Sequence, residues 1–174
     1  MRLFKRKSPP LQSVLFVCTG NVTRSPVAAA MFRRLADASG ERWEVGSAGT
    51  GTVKGSPPNP VVAFVMFGRG TPIQQHRSRP VTRRLLDRYY WIMVMERSHR
   101  EKLLEIAPEA GERVQVLRRF GRRELPLPEL DMPDPTGKEV DDYRELFDIL
   151  DEEVPRLFKA LQNRVSDLGW EVQD

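Results

Sequence analysis

A single cysteine, two histidines and no long apolar run set the first limits on this chain of 174 residues. One Cys cannot close an internal disulfide, which points to a reducing compartment, the cytoplasm, and away from a secreted, stapled fold. One Cys and two His are too few for a zinc site built from those residue types alone, and no metal or other cofactor is expected. No stretch approaches the ~18 apolar residues of a membrane span, and the start of the chain lacks the apolar core of a signal peptide. Basic pairs such as Arg118-Arg119 and Arg122-Arg123 lack the interleaved aromatics of a single-strand binding surface, so no nucleic-acid partner is expected.

The net charge of +4 is local: Arg2, Lys5, Arg6 and Lys7 supply it, and the rest of the chain balances. Residues 1–10, closing on Ser8-Pro9-Pro10, read as a basic flexible tail whose residues 2–7 allow weak contact with an acidic surface. Further along, residues 77–123 carry 13 basic and 6 acidic side chains, and residues 129–153 carry 2 and 11. Such polarity shapes a field around an anionic ligand.

From residue 11 to about 170 the pattern is that of one domain. Leu11 to Val17 reads as a strand buried on both faces, because Val14-Leu15-Phe16-Val17 is apolar without alternation. Ser25-Pro26 opens a helix, with serine as its cap and proline in its first turn, that ends at Gly40. Trp43–Ser47, Tyr90–Met95 and Arg113–Leu117 are further strands. Val61–Phe67 and Ser98–Ala107 are helices. In the last helix Val140, Tyr143, Phe147, Leu150, Val154, Leu157, Leu161 and Val165 recur every three or four residues, and Pro155 is expected to kink or interrupt it. This alternation predicts a doubly wound α/β domain, a four-stranded parallel sheet with helices on both faces. Ligands bind outside the carboxyl ends of the strands in such sheets, which directs attention to the residues after Val17.

There the chain reads Cys18-Thr19-Gly20-Asn21-Val22-Thr23-Arg24-Ser25-Pro26. A loop entering a helix turns several N–H groups toward one point and adds the positive end of the helix dipole. Gly20 permits close backbone approach, and Asn21 tolerates left-handed dihedrals. Arg24 offers a planar fork matched to phosphate oxygens. The same donors favour a thiolate on Cys18, which is then both beneath a captured oxyanion and a nucleophile toward it.

The Cys, five residues, Arg-Ser-Pro loop after the first strand resembles the signature of the low-molecular-weight protein tyrosine phosphatases. Ser47-Ala48-Gly49-Thr50, His76-Arg77-Ser78-Arg79-Pro80, Val94-Met95-Glu96-Arg97-Ser98 and Asp134-Pro135 are similar to further segments of that family, in order. The resemblance implies a cofactor-free phosphatase acting on a phosphorylated protein or smaller phosphomonoester. It implies that Cys18 forms a phosphocysteine, and that Arg24 with the amides of Thr19, Gly20, Val22 and Thr23 binds the phosphate oxygens. Ser25 would donate to the sulfur. Asn21 would hold the loop, supported by Ser47 and His76, and Asp134 would be the acid and later the base. Taken without the resemblance, Asp134-Pro135 is a common turn starter and His76 an ordinary histidine. Asp131 competes with Asp134 for the acid role, and Glu96 and His99 are left as structural.

Three departures from the family pattern bear on function. Thr23 stands where many members have a second Cys, so no partner protects the nucleophile from oxidation, and the arsenate-reductase relatives, which need further cysteines, are excluded. Thr136 and Gly137 follow Asp134-Pro135, and the other wall falls near Val53, so no aromatic side chain is expected to flank a phenyl ring. Val22 replaces the Thr of bacterial arginine phosphatases. Phosphotyrosine, phosphoarginine and a small phosphomonoester remain open as substrates, as does a module that binds phosphate without hydrolysing it.

Overall fold

Val14 to Val17 are fully buried and form the middle of β1 (Ser13–Cys18), the central strand expected from their unbroken apolarity. β1 pairs in parallel with β2 (Glu44–Gly49) on one side and β3 (Trp91–Val94) on the other. β4 (Val114–Val116) extends the sheet beyond β3, giving the all-parallel order β2-β1-β3-β4. The computed structural model describes residues 9–122 and 126–167. Most of the expected basic tail, Arg123 and residues 168–170 therefore lie outside the described residues.

Side chains of β1 alternate between two cores because successive Cβ atoms point to opposite faces. Val14, Phe16 and Cys18 meet α1 (Arg24–Ser39), α2 (Pro60–Gly68) and α5 (Val140–Asp167). Leu15 and Val17 meet α3 (Arg83–Leu86) and α4 (Arg97–Ile106). Helices thus cover both faces, as the alternation of elements predicts. Among the described residues no helix is long and apolar enough to cross a membrane.

Several boundaries and side chains differ from expectation for physical reasons. α1 begins at Arg24 with Thr23 in the cap position and no side-chain cap bond; Ser25 does not cap, because its hydroxyl is turned to the Cys18 sulfur. α5 runs 28 residues straight through Pro155 without interruption. Pro155 is exposed, so its ring meets solvent while Val154 and Leu157 stay in the core. Val140, read as part of the apolar stripe, is 63% exposed at the first residue of the helix. The short α3 was not legible in advance; Thr82 starts it by accepting the N–H of Leu85 at 3.1 Å.

Candidate active site

Cys18 ends β1, and the chain then makes a turn that only a left-handed residue permits. That residue is Asn21, at φ 52°, and four bonds hold it there. Its Nδ2 donates to Ser25 Oγ at 2.9 Å and to Ser47 Oγ at 3.0 Å. Its Oδ1 accepts the Arg79 N–H at 2.9 Å, and its carbonyl oxygen lies 2.6 Å from His76 Nε2. Ser47 and His76 thus sit on Asn21, as the sequence reading placed them, and Arg79 joins them. Burial, followed by the charges of Arg79 and Arg77, pushes the His76 pKa down against the raising effect of its bond to Asn21, so the ring is neutral near pH 7. The steric need for glycine falls elsewhere than expected. A Cβ on Gly20 would meet only Val22 Cγ2 at 3.5 Å, whereas one on Gly49 of β2 would come to 2.5 Å from the Thr19 carbonyl oxygen.

The sulfur of Cys18 is buried and receives two polar contacts, the Asn21 N–H at 3.3 Å and Ser25 Oγ at 3.0 Å. Both can donate to a thiolate. Above it lies a pocket of about 180 Å³ lined by Cys18, Thr19, Gly20, Val22, Thr23, Arg24, Asp134 and Thr136. No aromatic residue is in that set, and Val53, the expected second wall, is not in it either; Val53 is exposed.

Arg24 is 1% exposed. Its Nη1 donates to Glu96 Oε1 and, at 2.9 Å, to the Met132 carbonyl. Its Nη2 donates to Asp134 Oδ2 at 2.6 Å, and its Nε has no partner. A buried, unsatisfied guanidinium N–H costs free energy until an acceptor arrives, which makes the Nε edge an anion-receiving edge. Asp134 Oδ1 accepts the Thr136 N–H at 3.0 Å. Burial alone would raise the Asp134 pKa, but the Arg24 guanidinium and the Thr136 bonds outweigh it and hold the carboxyl below its ordinary value. Asp131, the competitor, is spent on Arg97: it accepts the backbone N–H at 2.7 Å and Nη2 at 2.8 Å.

Glu96 and His99, read as merely structural, are in the site's immediate support. Glu96 holds Arg24, and His99 Nε2 lies 2.8 Å from Thr19 Oγ1. His99 is buried, and that burial pushes its pKa down to about 4 despite the nearby Glu96 carboxylate. Thr23 and Thr136, the two flanking departures, approach each other at 3.3 Å through their hydroxyls and so join the phosphate loop to the acid loop.

A family profile described as low molecular weight phosphotyrosine protein phosphatase matches residues 13–167. The chain belongs to this family. The phosphatase is 31% identical over 148 residues to the low molecular weight protein-tyrosine-phosphatase Wzb of Salmonella typhi, spanning 85% of this chain and 93% of Wzb. The solved YwlE arginine phosphatase from Geobacillus stearothermophilus matches the phosphatase with a TM-score of 0.80 at 29% identity, over 92% of this chain and 99% of that one. A YwlE arginine phosphatase mutant with a phosphorylated active site serine matches with a TM-score of 0.79 at 27% identity, over 86% and 95% of the two chains. The phosphatase thus resembles solved members of both the tyrosine and the arginine branches.

A sequence signal for Glu96 existed: an acid at the carboxyl end of a buried strand, where a doubly wound sheet places its ligand residues. Arg79 and His99 had no comparable signal, because their roles depend on how close separate segments come.

Proposed function

We propose that the phosphatase hydrolyses phosphotyrosine in protein, or a similar phosphomonoester, through the Cys18–Arg24 loop. The phosphate enters with its oxygens on the loop N–H groups and the unpartnered Arg24 Nε. The incoming phosphoryl oxygens displace the Asp134 carboxylate from Arg24, and Asp134, freed of that counter-charge, takes up the proton carried by the phosphomonoester monoanion. Cys18 attacks phosphorus as a thiolate, forming the S–P bond as the P–O bond to the leaving group breaks, and Asp134 delivers that proton to the departing oxygen. Water then attacks the phosphocysteine, Asp134 takes its proton, and inorganic phosphate leaves as the thiolate is restored. Ser25 serves by donating to the sulfur, which makes it the better leaving group in the second step. The observation that carries this reading is the convergence of Cys18, Arg24 and Asp134 on one pocket of about 180 Å³. The binding-only alternative is disfavoured by Asp134, which the Thr23 and Thr136 departures leave at Arg24. A free thiol as nucleophile fits work in a reducing compartment such as the cytoplasm.

A second reading, protein arginine phosphatase, is favoured by one observation: the pocket has no aromatic wall for a phenyl ring, which forgoes about 1 kcal/mol of stacking. The test has two arms. p-Nitrophenyl phosphate turnover at mildly acidic pH is expected for the wild type and absent in Cys18→Ser; equal rates overturn the mechanism. Phosphotyrosine and phosphoarginine peptides compared side by side then assign the substrate. A Val22→Thr variant shifts the ratio toward arginine if the loop reads the leaving group.

A further inference from the structure

Among the described residues seven large apolar side chains are exposed, and two of them, Val61 and Val140, line one groove. Val61, 42% exposed, lies in the first turn of α2, and Val140, 63% exposed, is the first residue of α5. Between the two helices runs a groove of about 240 Å³ with Val61, Val65, Val140, Tyr143 and Phe147 along it. Arg69 stacks over the Phe147 ring at 4.5 Å and is held by Asp151 at 2.7 Å. The volume lies below the roughly 300–1,000 Å³ typical of small-molecule sites and suits a side chain rather than a cofactor. Exposed apolar surface of this kind marks an interaction site.

Both walls of the groove start at the catalytic pocket. Val22, which lines the pocket, accepts the Asn59 N–H at 2.8 Å, and Asn59 caps α2 through the Val61 N–H while its Nδ2 donates to Tyr143 Oη at 3.1 Å. Thr136, on the other side of the pocket, is four residues before Val140, a span of at most about 14 Å of chain. The groove is therefore within reach of residues next in sequence to a phosphoresidue held over Cys18. Its rim is acidic. Arg144 is held by Asp141 at 2.6 Å, while the exposed Asp148 and Glu145 have no ion-pair or hydrogen-bond partner among the described residues.

We infer that this groove seats the substrate polypeptide around its phosphoresidue, with an apolar side chain between α2 and α5 and a basic side chain at Asp148. The inference rests on the phosphoprotein reading above. An apolar floor with an unpaired carboxylate on its edge fits a segment in which large aliphatic or aromatic residues neighbour Lys or Arg.

The test compares kcat/KM on p-nitrophenyl phosphate and on two phosphopeptides, carrying whichever phosphoresidue the enzyme turns over. One peptide has Leu and Arg within about four residues on either side of the phosphoresidue, and the other has Ser at those positions. The wild type is expected to prefer the Leu-Arg peptide by about tenfold, and a Val61→Ser/Val140→Ser double variant to bring the two within about twofold. Asp148→Lys should lower the rate on the Leu-Arg peptide alone. All variants keep the wild-type rate on p-nitrophenyl phosphate, which also reports that they are folded. Equal use of the two peptides by the wild type overturns the groove proposal and leaves the phosphatase reading intact. So does sedimentation showing a dimer that Val61→Ser dissolves, because the occupant is then a second copy. Turnover of p-nitrophenyl phosphate with neither peptide cleaved overturns the phosphoprotein reading, and the groove proposal with it.

Discussion

A guanidinium that is 1% exposed must place its N–H groups on something, and Arg24 places them on Glu96, Met132 and Asp134. Glu96 and the Met132 carbonyl hold Nη1, which fixes the guanidinium at the pocket. Glu96→Gln keeps an acceptor for Nη1 but removes a counter-charge, so Asp134 is held harder by Arg24 and released less readily to the substrate. The expected outcome is a fall of about tenfold in kcat/KM on p-nitrophenyl phosphate with little change in Tm. His99 makes a second prediction at this scale. Unfolded, it takes a proton near its ordinary value of 6.5; folded, burial delays protonation to about 4. Between those values the unfolded chain binds more protons, so stability falls as pH falls from 6.5 toward 4, by on the order of 3 kcal/mol in full. Urea unfolding at stepped pH should show this slope, and His99→Gln should flatten it.

Among the elements, α5 is the one whose sequence contains its own contradiction. Pro155 has no N–H for the helix and its ring crowds the preceding turn, yet the helix continues because Val154, Leu157 and Leu161 are fully buried on its other side. Packing outweighs the local cost. Pro155→Ala should raise stability by about 1–2 kcal/mol in urea titration, less than the ~3 kcal/mol helix-interior penalty because proline also restricts the unfolded chain. The elements legible beforehand were those with long patterns: the solid apolar run of β1, the 3.6-residue stripe of α5 and the Gly40 stop, where φ is 74°. Val140 misled because periodicity marks a face and does not say where along the helix burial begins. The single turn of α3 is too short to carry a pattern at all.

Across the whole molecule, the site is assembled from the ends of β1, β2 and β3 and from the acid loop, and only the first of these is contiguous in sequence. Cys18 to Ser25 could be read directly because one short loop holds the cysteine, the left-handed turn at Asn21 and the helix start. The links through Arg79, Glu96 and His99 exist only once the sheet has brought 58 to 80 positions of separation together. A second long-range clamp lies away from the site. Glu153 of α5 is 1% exposed and bonds Arg122 Nη2 at 2.7 Å and Arg156 Nε at 2.8 Å, with Arg118 Nε at 3.7 Å. Arg156 also donates to the Leu117 carbonyl at 2.9 Å, tying α5 to the turn after β4. Glu153→Leu leaves these cations without their counter-charge and should cost about 3–5 kcal/mol, seen as a lower urea midpoint.

The contact between Asp134 and Arg24 means that the guanidinium already has an anion of the chain's own tethered to it. Chloride, sulfate or a passing nucleotide must outcompete that resident carboxylate before it can lodge there. On the proposed mechanism a phosphoryl group that succeeds releases the same carboxylate, which can then take up a proton beside the leaving oxygen, and when phosphate departs the tenant returns to its place.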